Sequence, residues 1–490
     1  MAELSERVKP VLSDSLIILT KHAQAKGQFP RTRMLKWIVL KGEFFHMDWG
    51  WLLLRSAILI SIVTLLYLSQ RFWYRGLWRV TSNWGRTWLR VAARLIYVAA
   101  LLVVVGAAAG GLRSNQNHFL RHSSLVSGMA GLWFASALFA YVSVKSVHGL
   151  DRGWRWMGRR RARRSSADKA APVVAAAGPA PDVLVNPSRR YFFQTATVAA
   201  GAMPFLGAVY GFAGERLRYQ VRRVEVPITN LPSALDGLRI AQLSDIHLSG
   251  YMTRENVRRA VDMANDLSAE LAVVTGDFIT GVNDPLADCV DELRRLHAPL
   301  GTWGCNGNHE IYARAEDAAQ TLFAQAGMKL LRQESKELTW RGAKFNLIGV
   351  DYQRERSPKG RKMQMIEGLD PLVRRDMPNI LLSHNPNSFR RAAELGVELT
   401  LSGHTHGGQV QVEILDRRFS PARFITDYIA GLFHRPLFAP SEPGMGERHI
   451  ALNLQPGIAN LYVNRGLGTV GAPVRLGVPP EITLLTLRRS

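Results

Sequence analysis

Ser402-Gly403-His404-Thr405-His406-Gly407-Gly408-Gln409 is the stretch on which the reading turns: two histidines flank one small residue, and glycines follow. Four shorter segments of the same character precede it, namely Ser244-Asp245-Ile246-His247, Gly276-Asp277-Phe278, Gly307-Asn308-His309-Glu310 and Ser383-His384-Asn385. Each follows an apolar run. Residues 238–243, 271–275, 380–382 and 397–401 read as buried parallel strands, and the run ending at Cys305 as a weaker one. Between them lie helix patterns, such as Val257, Ala260, Val261 and Ala264 behind a capping Thr253, so strands alternate with helices in an α/β domain. Every candidate side chain therefore sits just past a strand's carboxyl end. In an open parallel sheet such ends share one edge, where ligands bind, and residues between 245 and 406 can converge there. After the last histidines come strands without long helices, including 460–463 and 481–487, which implies a second sheet closing over the first.

Two divalent ions held about 3.5 to 4 Å apart need a carboxylate whose oxygens serve both, and terminal ligands that leave room for substrate. Asp277, central in the series, suits the bridge; Asp245, His247 and His406 are assigned to one ion, and Asn308, His384 and His404 to the other. Two carboxylates against two dications leave a net positive site, which attracts a phosphate and eases the ionisation of a water. A donor set this rich in imidazole suits divalent transition-metal ions, with manganese, iron and zinc foremost, over calcium or magnesium. His309, next to Asn308, is left to face the substrate, as an acid or as a stabiliser of phosphoryl oxygens. Glu310 either braces its loop or touches the substrate, and is kept outside the catalytic set. A lone Gly-Asp-Phe or Asp-x-His is ordinarily a turn with a capping carboxylate; the ordered series of five is not accounted for that way.

The series Asp-x-His, Gly-Asp, Gly-Asn-His, a single His and Gly-His-x-His resembles that of the calcineurin-like metallophosphoesterase superfamily. The run Gly403 to Gln409, Val463-Asn464-Arg465-Gly466-Leu467-Gly468-Thr469 and Val478-Pro479-Pro480-Glu481-Ile482-Thr483 resemble more closely the bacterial membrane-associated or Tat-exported phosphoesterases, a group related to UDP-2,3-diacylglucosamine hydrolases. The resemblance runs from about residue 220 to the end and implies a two-sheet sandwich with flanking helices. Between Val412 and Leu461, a segment with Tyr428, Leu432, Phe433 and Phe438 among basic residues matches no family pattern closely, and substrate choice is expected to depend on it.

Charge divides the chain. Before residue 220 there are 30 Lys plus Arg against 9 Asp plus Glu; beyond it, 32 against 30. Nearly all of the net +23 thus lies outside the part that bears the motifs, whereas an enzyme of DNA or RNA carries its basic surface around the cleft, so no nucleic acid is expected as partner. Apolar runs near 51–69, 91–112, 125–147 and 195–213 are each long enough to cross a bilayer, which takes roughly 17 to 25 residues. Arg55 and Arg94 lie near span ends, where long stems reach the interface; because of Arg55 the first run reads alternatively as a buried or interfacial helix. Residues 151–194 open with Arg159, Arg160, Arg161, Arg163 and Arg164 and continue as an Ala/Pro stretch, read as a disordered linker whose arginines mark the cytoplasmic side and meet anionic lipids. Ser188-Arg189-Arg190-Tyr191-Phe192-Phe193 resembles a twin-arginine export signal, or else flanks an ordinary fourth span; both readings lead the chain outward. One element disagrees, since the tail before residue 50 carries eight basic residues yet would lie outside. Cys289 and Cys305 read as buried small residues rather than a disulfide or a nucleophile.

The expected division is a membrane region at 1–150 with about three spans, the linker at 151–194, a fourth span or Tat-like signal at 195–213, and a metallophosphoesterase domain at 220–490. The fold class is α/β, a two-sheet sandwich behind a multi-span helical region in the bacterial cytoplasmic membrane, with the catalytic part on the extracytoplasmic face. The expected activity is hydrolysis of a phosphoester or pyrophosphate bond at a dinuclear centre. Its partners are membrane lipids and a phosphorylated small-molecule or lipid-linked envelope substrate. The competing reading is a non-catalytic membrane sensor or scaffold in which the metal domain is structural.

Overall fold

The computed structural model describes residues 49–113, 123–167, 187–282, 284–354, 365–414, 417–420, 426–437 and 457–490. Two six-stranded sheets make up the motif-bearing part. The first runs in the order β1 (Gln220–Ile228), β14 (Glu481–Arg489), β2 (Arg239–Leu243), β3 (Leu271–Thr275), β4 (Thr302–Cys305) and β5 (Lys329–Leu330). The second runs β12 (Gly431–Pro436), β13 (Ile458–Val463), β9 (Leu399–Ser402), β8 (Asn379–Leu382), β7 (Ala343–Gly349) and β6 (Glu334–Trp340). The strands that carry the motifs pair in parallel, β2 with β3 and β3 with β4 in one sheet and β8 with β9 in the other. β14 lies antiparallel to β2, and β6 and β12 are antiparallel edges. A short antiparallel pair, β10 (Val412–Ile414) and β11 (Arg417–Phe419), follows the last histidines.

Burial on both faces explains why these strands read as continuous apolar runs. In β3, Leu271 and Val273 point into the core between the sheets, while Ala272 and Val274 point under the helices. In β8, Ile380 and Leu382 face the inter-sheet core and Leu381 the opposite layer. The outer layer on the first sheet contains α5 (Arg254–Asn265), α6 (Leu286–Leu293) and α8 (Glu316–Gln325), the short α7 (Asn308–Ala313) coming between the last two in the chain. Thr253 caps α5 by accepting the Asn256 N–H, and Val257, Ala260, Val261 and Ala264 form its buried stripe. Cys289 and Cys305 are buried free thiols.

Two expectations need correction. The motif strands do not end on one open sheet: β8 and β9 belong to the second, so the centre is built where the carboxyl ends of two sheets meet. The late strands do not both form a second sheet either. β13 enters the second sheet, but β14 inserts between β1 and β2 of the first. Ile482 and Leu484 of β14 face the helix layer and Leu485 and Leu487 the inter-sheet core, the two-sided burial that β2 also has, so an apolar run does not by itself name its neighbour.

The four long apolar runs fall in α1 (Trp49–Ser82), α2 (Thr87–Arg113), α3 (Ser123–Ala167) and α4 (Pro187–Ala213). Among the described residues, two helical segments are long and apolar enough to cross a membrane, Ser56–Ser82 and Ser188–Leu217, rather than four. The basic stretch after Asp151 differs from the linker reading, since residues 151–167 continue α3 as helix; residues 168–186 lie outside the described ones. Arginine is a good helix former, and a charged run without apolar periodicity conceals that propensity. Arg189 of the twin-arginine segment forms an ion pair with Asp151 of α3. Arg94 stacks 3.5 Å over the Trp78 ring. The tail before residue 49 lies outside the described residues.

Phe323 of α8 is fully buried and its ring lies 5.0 Å from Phe278, the residue after Asp277. Phe323→Ala is expected to cost about 3 to 5 kcal/mol, measured as a lowered thermal transition of the detergent-solubilised chain.

Candidate metal centre

Five of the motif side chains leave their strands through a backbone conformation that non-glycine residues rarely adopt. Asp245, His247, Asp277, His404 and His406 have φ of 48°, 51°, 56°, 73° and 52°. Such conformations cost on the order of 1 to 3 kcal/mol each and persist where the surroundings over-determine them. Here the surroundings are the two sheets. Gln242, fully buried in β2, donates to Thr275 Oγ1 at 3.0 Å and to the Ser402 carbonyl at 3.0 Å, which ties the ends of β2, β3 and β9 together beneath the loops. Gly403 and Gly307 are required by close approach. A Cβ on Gly403 would collide with Ser244 Oγ and Asp245 Oδ2, and one on Gly307 with Asp277.

The result is two overlapping clusters of donors. Asp245, His247, Asp277 and His406 offer atoms within 4.8 Å of one another, and Asp277, His384 and His404 form the second group. Asp277 is common to both. Its Oδ2 lies 3.0 Å from His384 Nε2 and 3.5 Å from His247 Nε2, while Asp245 Oδ1 lies 3.4 Å from His406 Nε2. Asn308 is buried at the same corner, where the next backbone N–H, that of His309, donates to Asp277 Oδ1 at 2.9 Å. His309 is partly exposed, its ring centroid 4.7 Å from that of His247.

The ring nitrogens are aimed by their far sides. His384 Nδ1 meets the Thr275 carbonyl at 2.6 Å, His247 Nδ1 the Ile279 carbonyl at 3.1 Å and His309 Nδ1 the Thr280 carbonyl at 2.6 Å. Donation to a carbonyl fixes the tautomer and turns Nε2 toward the pocket. His247 Nε2, His406 Nδ1 and Asn308 Oδ1 are then buried without a hydrogen-bond partner, and His384 Nε2 faces the Asp277 carboxylate. Orphaned lone pairs in a native interior call for an explanation, and cations supply one. Burial pushes the His247 imidazole down to about 3 and that of His404 down to about 4, so both are neutral donors. Burial also opposes charge on His384, but the adjacent Asp277 carboxylate outweighs it and lifts this group up to about 10. Burial works against the charge on Asp277 too, yet His384 and His247 hold its carboxyl well below the usual range. Ligation by dications here would displace a proton from His384. The donor set, of imidazoles, two carboxylates and one amide oxygen, fits transition-metal ions.

Glu310 does not face the pocket. Fully buried, it accepts N–H groups from Asp277 (2.9 Å), Phe278 (2.8 Å), Ile279 (3.3 Å) and Gly307 (2.8 Å), and so braces the Asp277 loop. Tyr352, which sequence reading missed, lines the other wall, its ring 5.3 Å from that of His404 and 6.1 Å from that of His384. No motif marks it. Of the late aromatic segment, Tyr428 and Phe433 pack into the layer around Phe389, with ring centroids 5.7 Å and 5.3 Å apart along that chain, and Leu432 against the inter-sheet core. Phe438 lies outside the described residues.

Glu310→Ala strands four buried N–H groups and is expected to cost on the order of 3 kcal/mol and to lower metal content, read by thermal unfolding and elemental analysis of the same sample. Gly403→Ala is expected to lower metal content through displacement of Asp245, and unchanged metal content would show that the loop absorbs the methyl group.

A family profile described as calcineurin-like phosphoesterase matches residues 238–408. An uncharacterized metallophosphoesterase of Bacillus subtilis, YkuE, is 30% identical over 310 residues, which are 62% of this chain and 98% of that protein. A zebrafish (Danio rerio) transmembrane protein with metallophosphoesterase domain is 29% identical over 307 residues, 60% of this chain and 63% of the relative, so less than two thirds of that relative is spanned. UDP-2,3-diacylglucosamine pyrophosphatase LpxG of Chlamydia trachomatis is 26% identical over 314 residues, 52% of this chain and 86% of the relative. With the motif loops gathered in one pocket and a relative matched over nearly its whole length, the chain belongs to the calcineurin-like metallophosphoesterases and is a metal-dependent phosphoesterase.

Proposed function

We propose that the chain is a membrane-anchored hydrolase whose dinuclear centre cleaves a phosphoester or pyrophosphate bond of a lipid-linked or envelope substrate. The observation that carries the reading is the pair of buried donor clusters joined at Asp277. Asp245, His247 and His406 would hold one ion, Asn308, His384 and His404 the other, and Asp277 both. When bound, the ions supply Lewis acidity toward phosphoryl oxygens and a readily ionised water.

The remaining work falls to this chain's own side chains. His309 Nδ1 is committed to the Thr280 carbonyl at 2.6 Å, so the proton it can give to a leaving oxygen sits on Nε2, on the other side of the ring. The Asp277 carboxylate fixes the His309 backbone N–H and keeps that ring at the edge of the cluster. Tyr352, half-buried, walls the opposite side beside His404 and His384.

Membrane anchoring is supported by the two long apolar helical segments, Ser56–Ser82 and Ser188–Leu217, and by the transmembrane relative. The domain division then has helices up to about residue 213 in or at the bilayer and residues 220–490 as the catalytic part, held on the extracytoplasmic face by the basic stretch Arg159 to Arg164 on the inner side. A bilayer-held site with a lipid-sugar pyrophosphatase among its relatives favours an amphiphilic substrate over a free nucleotide.

Asp277→Asn is expected to abolish turnover of bis-p-nitrophenyl phosphate and to lower bound metal. His309→Asn is expected to keep metal and to lose about 100- to 10,000-fold in kcat. Full activity in either variant overturns the role given to that residue. With manganese-loaded full chain in detergent, UDP-diacylglucosamine and other lipid-linked phosphates are expected to turn over faster than soluble nucleoside diphosphate sugars; the reverse order would remove the lipid substrate class.

A further inference from the structure

Arg475 is fully buried, and its guanidinium is spent on carbonyl oxygens. Nε donates to Gly468 at 3.1 Å, Nη1 to Val478 at 3.2 Å, and Nη2 to Arg465, Gly466 and Gly468 at 2.9, 3.0 and 2.6 Å. These bonds close the segment Arg465–Val478 into one loop around a planar fork, a pattern that an ammonium group cannot reproduce. The loop lies directly on the residues that carry Asp245. Leu467 N–H donates to the Ser244 carbonyl at 3.0 Å and Gly468 N–H to the Asp245 carbonyl at 2.7 Å. A Cβ on Gly466 would stand 2.5 Å from the Cβ of Asp245, so the loop and that carboxylate cannot shift independently. Gln409, three residues past His406, holds the same loop by donating to the Val470 and Ala472 carbonyls at 3.1 and 2.8 Å.

The opposite side of the loop rests on α4. Arg475 N–H donates to the Gly211 carbonyl at 3.3 Å, and Gly477 N–H to Glu215 Oε2 at 2.9 Å. A Cβ on Gly211 would lie 2.5 Å from the Arg475 carbonyl oxygen, a backbone atom that cannot swing aside. One at Gly207, a turn earlier, would meet only Leu476 Cδ2, at an ordinary 3.6 Å.

We propose that Arg475 is a positioning residue that makes α4 part of the metal centre: the helix seats the Arg465–Val478 loop, and the loop seats Asp245. The ion assigned to Asp245, His247 and His406 then depends on α4 directly, while the Asn308, His384 and His404 position meets Asp245 only through the His404 backbone N–H, which donates to Asp245 Oδ1 at 2.9 Å, and is affected less. This rests on the two-ion reading given above. It also means that α4 is retained in the working protein, because a cleaved signal could not serve as the loop's seat.

The test uses full-length chain in detergent micelles with Mn²⁺ as the probe, following binding by equilibrium dialysis, spin coupling by electron paramagnetic resonance, and thermal unfolding. Wild type is expected to bind two Mn²⁺ with an exchange-coupled spectrum. Gly211→Ala and Arg475→Lys are expected to weaken one of the two sites about 10- to 100-fold, leaving an isolated-ion spectrum at limiting Mn²⁺. Gly207→Ala is expected to match wild type. Wild-type affinity at both sites in Gly211→Ala overturns the proposal, as does equal weakening of both sites with a lowered thermal transition, the signature of general damage. Should wild type itself bind fewer than two ions, the two-ion reading fails first, an outcome separate from the other two.

Discussion

Burial of the Asp277 carboxylate where two sheets meet is the constraint on which the rest of the site depends. An ionised carboxylate far from water is costly unless positive charge and hydrogen bonds surround it. Asp277 has His384 Nε2 at 3.0 Å, His247 Nε2 at 3.5 Å and the His309 N–H at 2.9 Å. Each comes from a different loop. The need to neutralise one group thus brings together segments far apart in sequence, and the same need makes the pocket a receptor for cations. A second buried carboxylate, that of Glu310, stands behind it without competing for that role, because its oxygens are occupied by four backbone N–H groups.

Rigidity follows from the way the loops are held. Five pocket residues sit in left-handed backbone, a strain that a flexible loop would relax. They do not relax because the strand ends beneath them are cross-tied through Gln242, and the loops touch through positions where only glycine fits. The inter-sheet core of Leu271, Val273, Ile380, Leu382, Leu399 and Leu401 supplies the stability that such strain consumes. His309 is the exception. It is oriented through a carbonyl but partly open, which suits the proton-donor role proposed for it.

Much of this was legible in residue order. Apolar runs ending in Asp, Asn or His located the strands and their polar ends, and Thr253 announced its helix through the cap. What eluded reading has identifiable causes. Glu310 carries the same chemistry as a ligand, and only its hydrogen bonds distinguish a brace from a donor. Tyr352 has no motif, since its role comes from facing His404 across the pocket. Arg475 looks like a surface arginine near the end of a basic chain, and nothing in its neighbours signals complete burial. Helix through the arginine-rich stretch after Asp151 was hidden because apolar periodicity is absent there although propensity is not.

Residue order by itself determined the chemical inventory and the family: which side chains can bind metal, in what sequence they occur, and that each ends a buried strand. That information is local, carried by short patterns that a strand end and a turn must satisfy wherever they lie. Tertiary structure alone decided that two sheets rather than one present those ends, that β14 returns to the first sheet, and that Gly211 of α4 touches the loop beneath Asp245. Those choices depend on which apolar face packs against which. Many faces of similar composition are interchangeable until the whole chain has closed around them.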